Sequence, residues 1–187
     1  HSAFVIRTLF EIRKFGFRIY SAVCYTQHMK ITLIQIGKTK QTYFQEAEAE
    51  YIKRLQPHAN LNIITLKEAS APYDQNESTR NVAKQKETLE LHKHIPKDTF
   101  LVALDEHGKT MDSHQFAAFI LKKRDFEGAN ITFIIGGPFG LADQILKKAH
   151  LKLSFSPMTF THEMIRTILL EQIYRAFTII TGKKYHY

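Results

Sequence analysis

Residues 131–140, Ile131-Thr132-Phe133-Ile134-Ile135-Gly136-Gly137-Pro138-Phe139-Gly140, decide how this chain is read. Five apolar or β-branched residues without a charge, cut off by paired glycines and a proline, describe a strand buried on both faces and ended by a turn. Working outward, residues 31–36, 61–66, 100–104 and 151–155 repeat that short apolar signature. Helical spacing fills the intervals. Residues 41–56 carry Phe44, Ala47, Tyr51, Ile52 and Leu55 before Pro57, and residues 78–94 carry a sparse stripe, Val82 and Leu89, before Pro96. A third helix is predicted from Asp112 or Ser113, either of which can cap it, to about Phe126 before Gly128; a fourth covers residues 161–180. Residues 70–77 have loop composition, and a turn is expected around His107 and Gly108. Strands and helices taking turns predict an α/β fold, a mostly parallel sheet with helices on both faces. No repeat, linker or second domain interrupts the pattern.

The 187 residues suit one domain with a real core. An apolar fraction of 44% and a charged fraction of 24% are those of a globular chain, which excludes a mainly disordered one. The sequence holds no apolar run of about 18 residues, so no membrane-spanning helix is expected. Cys24 is the only cysteine, which rules out an intramolecular disulfide and leaves a cysteine-ligated metal without ligands. A net charge of +8 favours anionic, phosphate-rich partners; a generically basic soluble protein would carry it equally well.

Met29 divides the chain. Residues 1–28 hold Arg7, Arg13, Lys14 and Arg18 against Glu11 alone, interleaved with aromatics, and Met29 then opens a fresh strand. We expect residues 1–28 to be a non-native or mis-called extension, with an organellar presequence as the rival, and residues 29–187 to form the single domain. Without the extension 22 basic residues remain against 17 acidic, and the basic excess survives.

In open parallel sheets ligands bind beyond the carboxyl ends of the strands, which directs attention to three loops. Gly136-Gly137-Pro138-Phe139-Gly140 lets backbone approach a ligand closely, and a helix expected from Leu141 offers free amides nearby, yet the loop is neither G-x-G-x-x-G nor a phosphate loop, and a simple tight turn explains it too. Ser154-Phe155-Ser156-Pro157-Met158-Thr159-Phe160 offers hydroxyls and apolar side chains to a flat, partly polar ligand, or is only the lead-in to a helix capped by Thr159 or Thr161. Leu104-Asp105-Glu106-His107-Gly108 reads as a strand end. In the last helix His162 and Arg166 share a face, as do Glu171 and Arg175, for which a surface ion pair suffices. After Gly182, the tail Lys183-Lys184-Tyr185-His186-Tyr187 brings charge and rings suited to phosphate and base stacking, although chain ends commonly fray. His92-x-His94 lacks a third ligand, so no metal site is expected.

Taken together, Ile134-Ile135-Gly136-Gly137-Pro138-Phe139-Gly140-Leu141, Leu153-Ser154-Phe155-Ser156, Met158-Thr159-Phe160-x-His162-x-x-x-Arg166, Leu170-x-Gln172-x-Tyr174-Arg175-Ala176-Phe177 and Gly182-x-x-Tyr185-His186 resemble the RlmH family of large-subunit ribosomal RNA methyltransferases. The resemblance runs from Met29 to the C-terminus.

It implies a SPOUT fold with a C-terminal trefoil knot, although general experience counts true knots as rare exceptions. It also implies a homodimer and transfer of a methyl group from S-adenosyl-L-methionine to N3 of a pseudouridine in large-subunit ribosomal RNA, on the assembled ribosome in the cytoplasm. An organelle becomes the destination only if residues 1–28 are a targeting peptide. By position the resemblance assigns the cofactor to Leu104, Gly136, Gly137, Phe155, Ser156, Pro157, Met158, Thr159 and Phe160. Pro157 departs from the lysine or small residue expected there and removes a backbone donor. Arg166 is expected to steady negative charge on the acceptor base, with His162 or His186 taking its proton and Tyr185, His186 and Arg175 facing the substrate. No metal and no membrane are implied. A SPOUT-fold protein that binds ribosome or transfer RNA, with a different methyl acceptor or none, is the alternative.

Overall fold

The computed structural model describes residues 29–69, 76–127 and 130–183. Five strands, β1 (Met29–Ile36), β2 (Ala59–Leu66), β3 (Phe100–Thr110), β4 (Ile131–Ile135) and β5 (Leu151–Ser154), form one sheet in the order β2-β1-β4-β3-β5, every pair parallel. Five α-helices alternate with them: α1 (Thr42–Leu55), α2 (Glu77–His94), α3 (Ser113–Leu121), α4 (Asp143–Lys148) and α5 (His162–Ile180). The α/β architecture expected from the alternation is the one observed. One face of the sheet packs Ile31, Leu33, Ile131 and Phe133 against Leu55 of α1, Phe116 and Ile120 of α3, and Leu169, Ile173 and Phe177 of α5. The other packs Ile34, Ile36, Ala103 and Ile134 against Leu91 of α2 and Ile145 of α4. Central strands β1 and β4 are thus covered on both sides, which explains why residues 31–36 and 131–135 carry no charge.

Local signals place the helix starts. Asp112 caps α3 in a reciprocal capping box: its carboxylate accepts from Gln115 N at 2.7 Å, and the Gln115 side chain accepts from Asp112 N at 3.1 Å. Thr161 caps α5, its hydroxyl accepting from Met164 N, and Gly182 follows the helix at a positive φ of 64°.

Three expectations need correction. The third helix does not stay α-helical to Phe126: Lys122–Phe126 form a π-turn. That turn lets Lys123 bury its stem, pair with Glu127 at 2.6 Å and set its ammonium 3.4 Å from the Phe100 ring centroid. The helix expected from Leu141 starts at Asp143 and is six residues long. Finally, Gly108 ends no strand. Leu104 and Lys109 both face Leu153, so residues 105–108 bulge out of a strand that continues to Thr110. A Cβ on Gly108 would lie 2.7 Å from the carbonyl carbon of Lys152, so only glycine lets β3 rejoin β5.

Candidate active site

The connection leaving β1 runs to β2 on one side, while the connection leaving β4 runs towards β5 on the other. The strand order therefore reverses between β1 and β4, where the crevice beyond the carboxyl ends opens. Register brings the three loops singled out above to this edge. Ala103 faces Ile134, which sets Leu104 level with Ile135 and one residue short of Gly136. Leu104 also faces Leu153, two residues before Phe155. Adjacent strands lie about 4.8 Å apart, so Leu104, Gly136 and Phe155 stand across a front of about 10 Å.

The glycine turn is closed tightly. Gly140 N donates to the Gly137 carbonyl at 2.9 Å, and Gly140 takes a φ of 74°. A Cβ on Gly136 would sit 2.7 Å from the carbonyl carbon of Gly140, inside the turn's own backbone. On the next loop, the Ser154 hydroxyl lies 3.0 Å from the Glu106 carbonyl and 2.9 Å from that of Ser156, tying the loop to the β3 bulge. Ser156 Oγ accepts from Met158 N at 2.9 Å. Phe155 is half-buried, edge-on to Phe116, and Leu104 and Ser156 are also half-buried. Pro157, Met158, Thr159 and Phe160 face outward, Met158 with 75% of its surface exposed.

From the β5 edge this segment must reach β1, because α5 begins there. Three strand spacings, about 14 Å, separate the two positions, within the roughly 23 Å that seven extended residues can span. At the far end, Glu163 Oε2 accepts from Lys40 N and Gln41 N, both at 3.1 Å. Gln41 gives α1 no side-chain cap of its own, so a carboxylate from another helix supplies it. Burial pushes the Glu163 carboxyl up, but those two amides, with the nearby His162 and Arg166 charges, hold it below the usual range.

Arg166 is fully buried. It donates to the Ile36 carbonyl, to the Gly37 carbonyl at 3.0 Å and to Thr39 Oγ1 at 3.0 Å, and Thr39 in turn donates to Glu48 at 2.7 Å. Burial lowers its pKa while Glu48, Glu163 and Glu68 oppose the shift, and a guanidinium stays charged throughout. Its Nε is buried without a hydrogen-bond partner among the described residues. Both terminal nitrogens are taken up by the end of β1 and the loop after it. His162, half-buried on the first turn of α5, has its pKa lowered by burial first and by the Arg166 charge second, which favours the neutral imidazole.

Arg175 pairs with Glu171 four residues before it, the structural role its spacing offered. Tyr185 and His186 lie outside the described residues. Among those described, no cluster of three histidines, cysteines or carboxylates is placed to hold a metal, and no helix is long and apolar enough to cross a membrane. His92 and His94 turn apart, towards Lys148 and the Glu90 carbonyl. Sequence reasoning missed Thr39 and Glu163, whose parts depend on contacts across more than a hundred residues, Glu48, which joins them through Thr39, and Glu87, a buried acid of α2 beside Gly137.

The family model described as "Predicted SPOUT methyltransferase" matches residues 29–186. Proteins named "Ribosomal RNA large subunit methyltransferase H" are similar over 158 residues, 84% of this chain and 99% of theirs. That of Carboxydothermus hydrogenoformans is 43% identical, and those of Clostridium botulinum strain Langeland and Clostridium kluyveri are 42% identical. With the match spanning every described strand and helix, the chain belongs to the SPOUT methyltransferases and, within them, to the family of ribosomal RNA large subunit methyltransferase H.

Proposed function

We propose that the protein is an S-adenosyl-L-methionine-dependent methyltransferase that modifies N3 of a pseudouridine in large-subunit ribosomal RNA on the assembled ribosome. The observation that carries this reading is the juxtaposition of Leu104, the Gly136–Gly137 turn and the loop 155–160 on three neighbouring strand ends, within a chain whose relatives carry that enzyme's name. The reading includes a homodimer, a threaded C-terminal segment and a cytoplasmic place of work, an organelle replacing it only if residues 1–28 direct import.

The residues suit the donor. Half-buried Leu104 and Phe155, with Met158 and Phe160 beyond them, offer apolar walls to a flat base, and the tight glycine turn brings main chain close to it. Gly136, Gly137 and residues 155–160 would hold the donor, Pro157 contributing shape but no amide. S-adenosyl-L-methionine supplies a methyl group on a sulfonium and leaves as a neutral thioether, so no metal is needed to activate it.

The chain's own task is alignment and proton removal. As N3 loses its proton, the freed electron pair forms the bond to the methyl carbon while the pair of the broken carbon–sulfur bond stays on sulfur. The neutral imidazole of His162 or that of His186 takes the proton, or passes it to water. Tyr185, His186 and Arg175 face the RNA. Arg166 acts as a positioning residue: it locks the first turns of α5, and with them His162 and the incoming loop, onto β1.

Incubation with methyl-labelled S-adenosyl-L-methionine and ribosomes containing the pseudouridine, followed by digestion and nucleoside mass spectrometry, tests this. Label on N3 of a large-subunit pseudouridine is the expected result, and label only on transfer RNA or none at all overturns it. His186→Ala is expected to abolish transfer while donor binding stays near normal; full activity in that variant removes the tail from the mechanism.

A further inference from the structure

Arg80, Ala83 and Glu87 of α2 are spaced for one helical face, and the first and last of them lie against the glycine turn. The Arg80 guanidinium lies 5.9 Å from the Phe139 ring centroid, and Ala83 is buried. A Cβ on Gly137 would fall 3.4 and 3.6 Å from the two carboxylate oxygens of Glu87, which is 5% exposed. Among the described residues Glu87 accepts one hydrogen bond, from Ala69 N at 3.1 Å. A neutral side-chain amide could accept that bond equally well, and a buried carboxylate is costly unless its charge has a use. Burial pushes the Glu87 carboxyl up, Glu68 adding to the shift and the Ala69 amide and Lys84 opposing it.

Transfer changes the donor's charge. The sulfonium is a cation before the methyl group leaves, and the thioether that remains is neutral. We infer that Glu87, set behind the Gly136–Gly137 turn, makes the donor site discriminate by charge, favouring the sulfonium donor over its thioether product through the field of its carboxylate. It touches neither ligand; it acts across the turn. If about 12 Å separated the two charges at an effective dielectric of about 20, one unit charge would change affinity about tenfold. The consequence is product release: a site that holds donor and product alike stalls on the product.

The inference rests on the donor site proposed above. Calorimetric titration of the full chain with S-adenosyl-L-methionine and, separately, with S-adenosylhomocysteine tests it without RNA or turnover. Glu87→Gln is expected to weaken donor binding about tenfold and to leave product binding unchanged, so that the affinity ratio collapses. Glu87→Asp, which keeps the charge, is expected to keep the ratio even where both affinities fall, and it serves if the glutamine variant does not fold. Equal weakening of both ligands, or an unchanged ratio in Glu87→Gln, overturns the inference and leaves the donor site standing. A collapsed ratio in Glu87→Asp overturns it as well. A wild-type chain that binds neither ligand overturns the donor site and the inference together.

Discussion

Replacing Arg166 by lysine separates a positioning role from a catalytic one. The guanidinium bridges three oxygens, those of Ile36, Gly37 and Thr39, with two nitrogens, and it lies fully buried beside Glu48 and Glu163. An ammonium keeps the charge but loses the planar fork, so at least one buried acceptor is left without its donor. A hydrogen bond to a charged group contributes about 1.5–3 kcal/mol, and an orphaned buried acceptor adds its own desolvation penalty, which sets the expected loss at about 2–4 kcal/mol. For a domain of this size about 2–4 °C of melting temperature corresponds to each kcal/mol, so Arg166→Lys is expected to melt at least about 4 °C below wild type. Arg166→Met leaves the carboxylates uncompensated and is expected to lose about 3–5 kcal/mol. Differential scanning calorimetry and urea titration, with the m-value checked for constancy, provide the measurement. A lysine variant that melts within a degree of wild type while losing its methyl transfer would refute the reasoning, because that is the behaviour of a side chain that meets substrate and supports nothing else.

Gly136→Ala places a Cβ 2.7 Å from backbone, so the turn must shift; a loss of about 1–3 kcal/mol together with a weakened donor titration is expected, and unaltered binding would show that the turn has slack. His162 has a folded pKa below its ordinary value, so its contribution to stability is full above about pH 6.5 and is lost as the pH falls towards the folded value. The melting temperature of His162→Gln is therefore expected to decline less than that of wild type between pH 7.5 and 5, and parallel declines would count against the assignment. Glu163, held below the carboxylate range, contributes stability above its unfolded pKa that is lost only in more acidic solution, as the pH falls through its folded value. Glu163→Ala, which uncaps α1, is expected to cost about 1–2 kcal/mol at neutral pH by urea titration, and an unchanged midpoint would deny Glu163 the capping role. A chain begun at Met29 is expected to keep the full chain's melting temperature, since Met29 already lies in β1 and is buried; a fall of several degrees would make residues 1–28 part of the fold.

The alternation of buried strands and helical stripes follows from side-chain period and apolar content, which are local properties, and the sequence alone determined it. It also narrowed the caps to Asp112 or Ser113 and to Thr159 or Thr161 and picked out the three strand-end loops, because capping and turn chemistry reach only a few residues; the structure chose Asp112 and Thr161. Gly108 misled for the same reason: a glycine that ends a strand and one that lets a bulge rejoin its neighbour look alike until β5 lies beside it. Strand order was beyond the sequence, since a parallel pair can join any two strands whose faces match, and it is this order that stands Leu104, Gly136 and Phe155 side by side. Arg166 shows the limit most sharply. Its spacing from His162 placed both on one helical face, yet whether that face meets solvent or the end of β1 depends on where seven residues of loop carry the helix. Only the tertiary structure decided that, because burial and charge pairing belong to groups brought together from opposite ends of the chain.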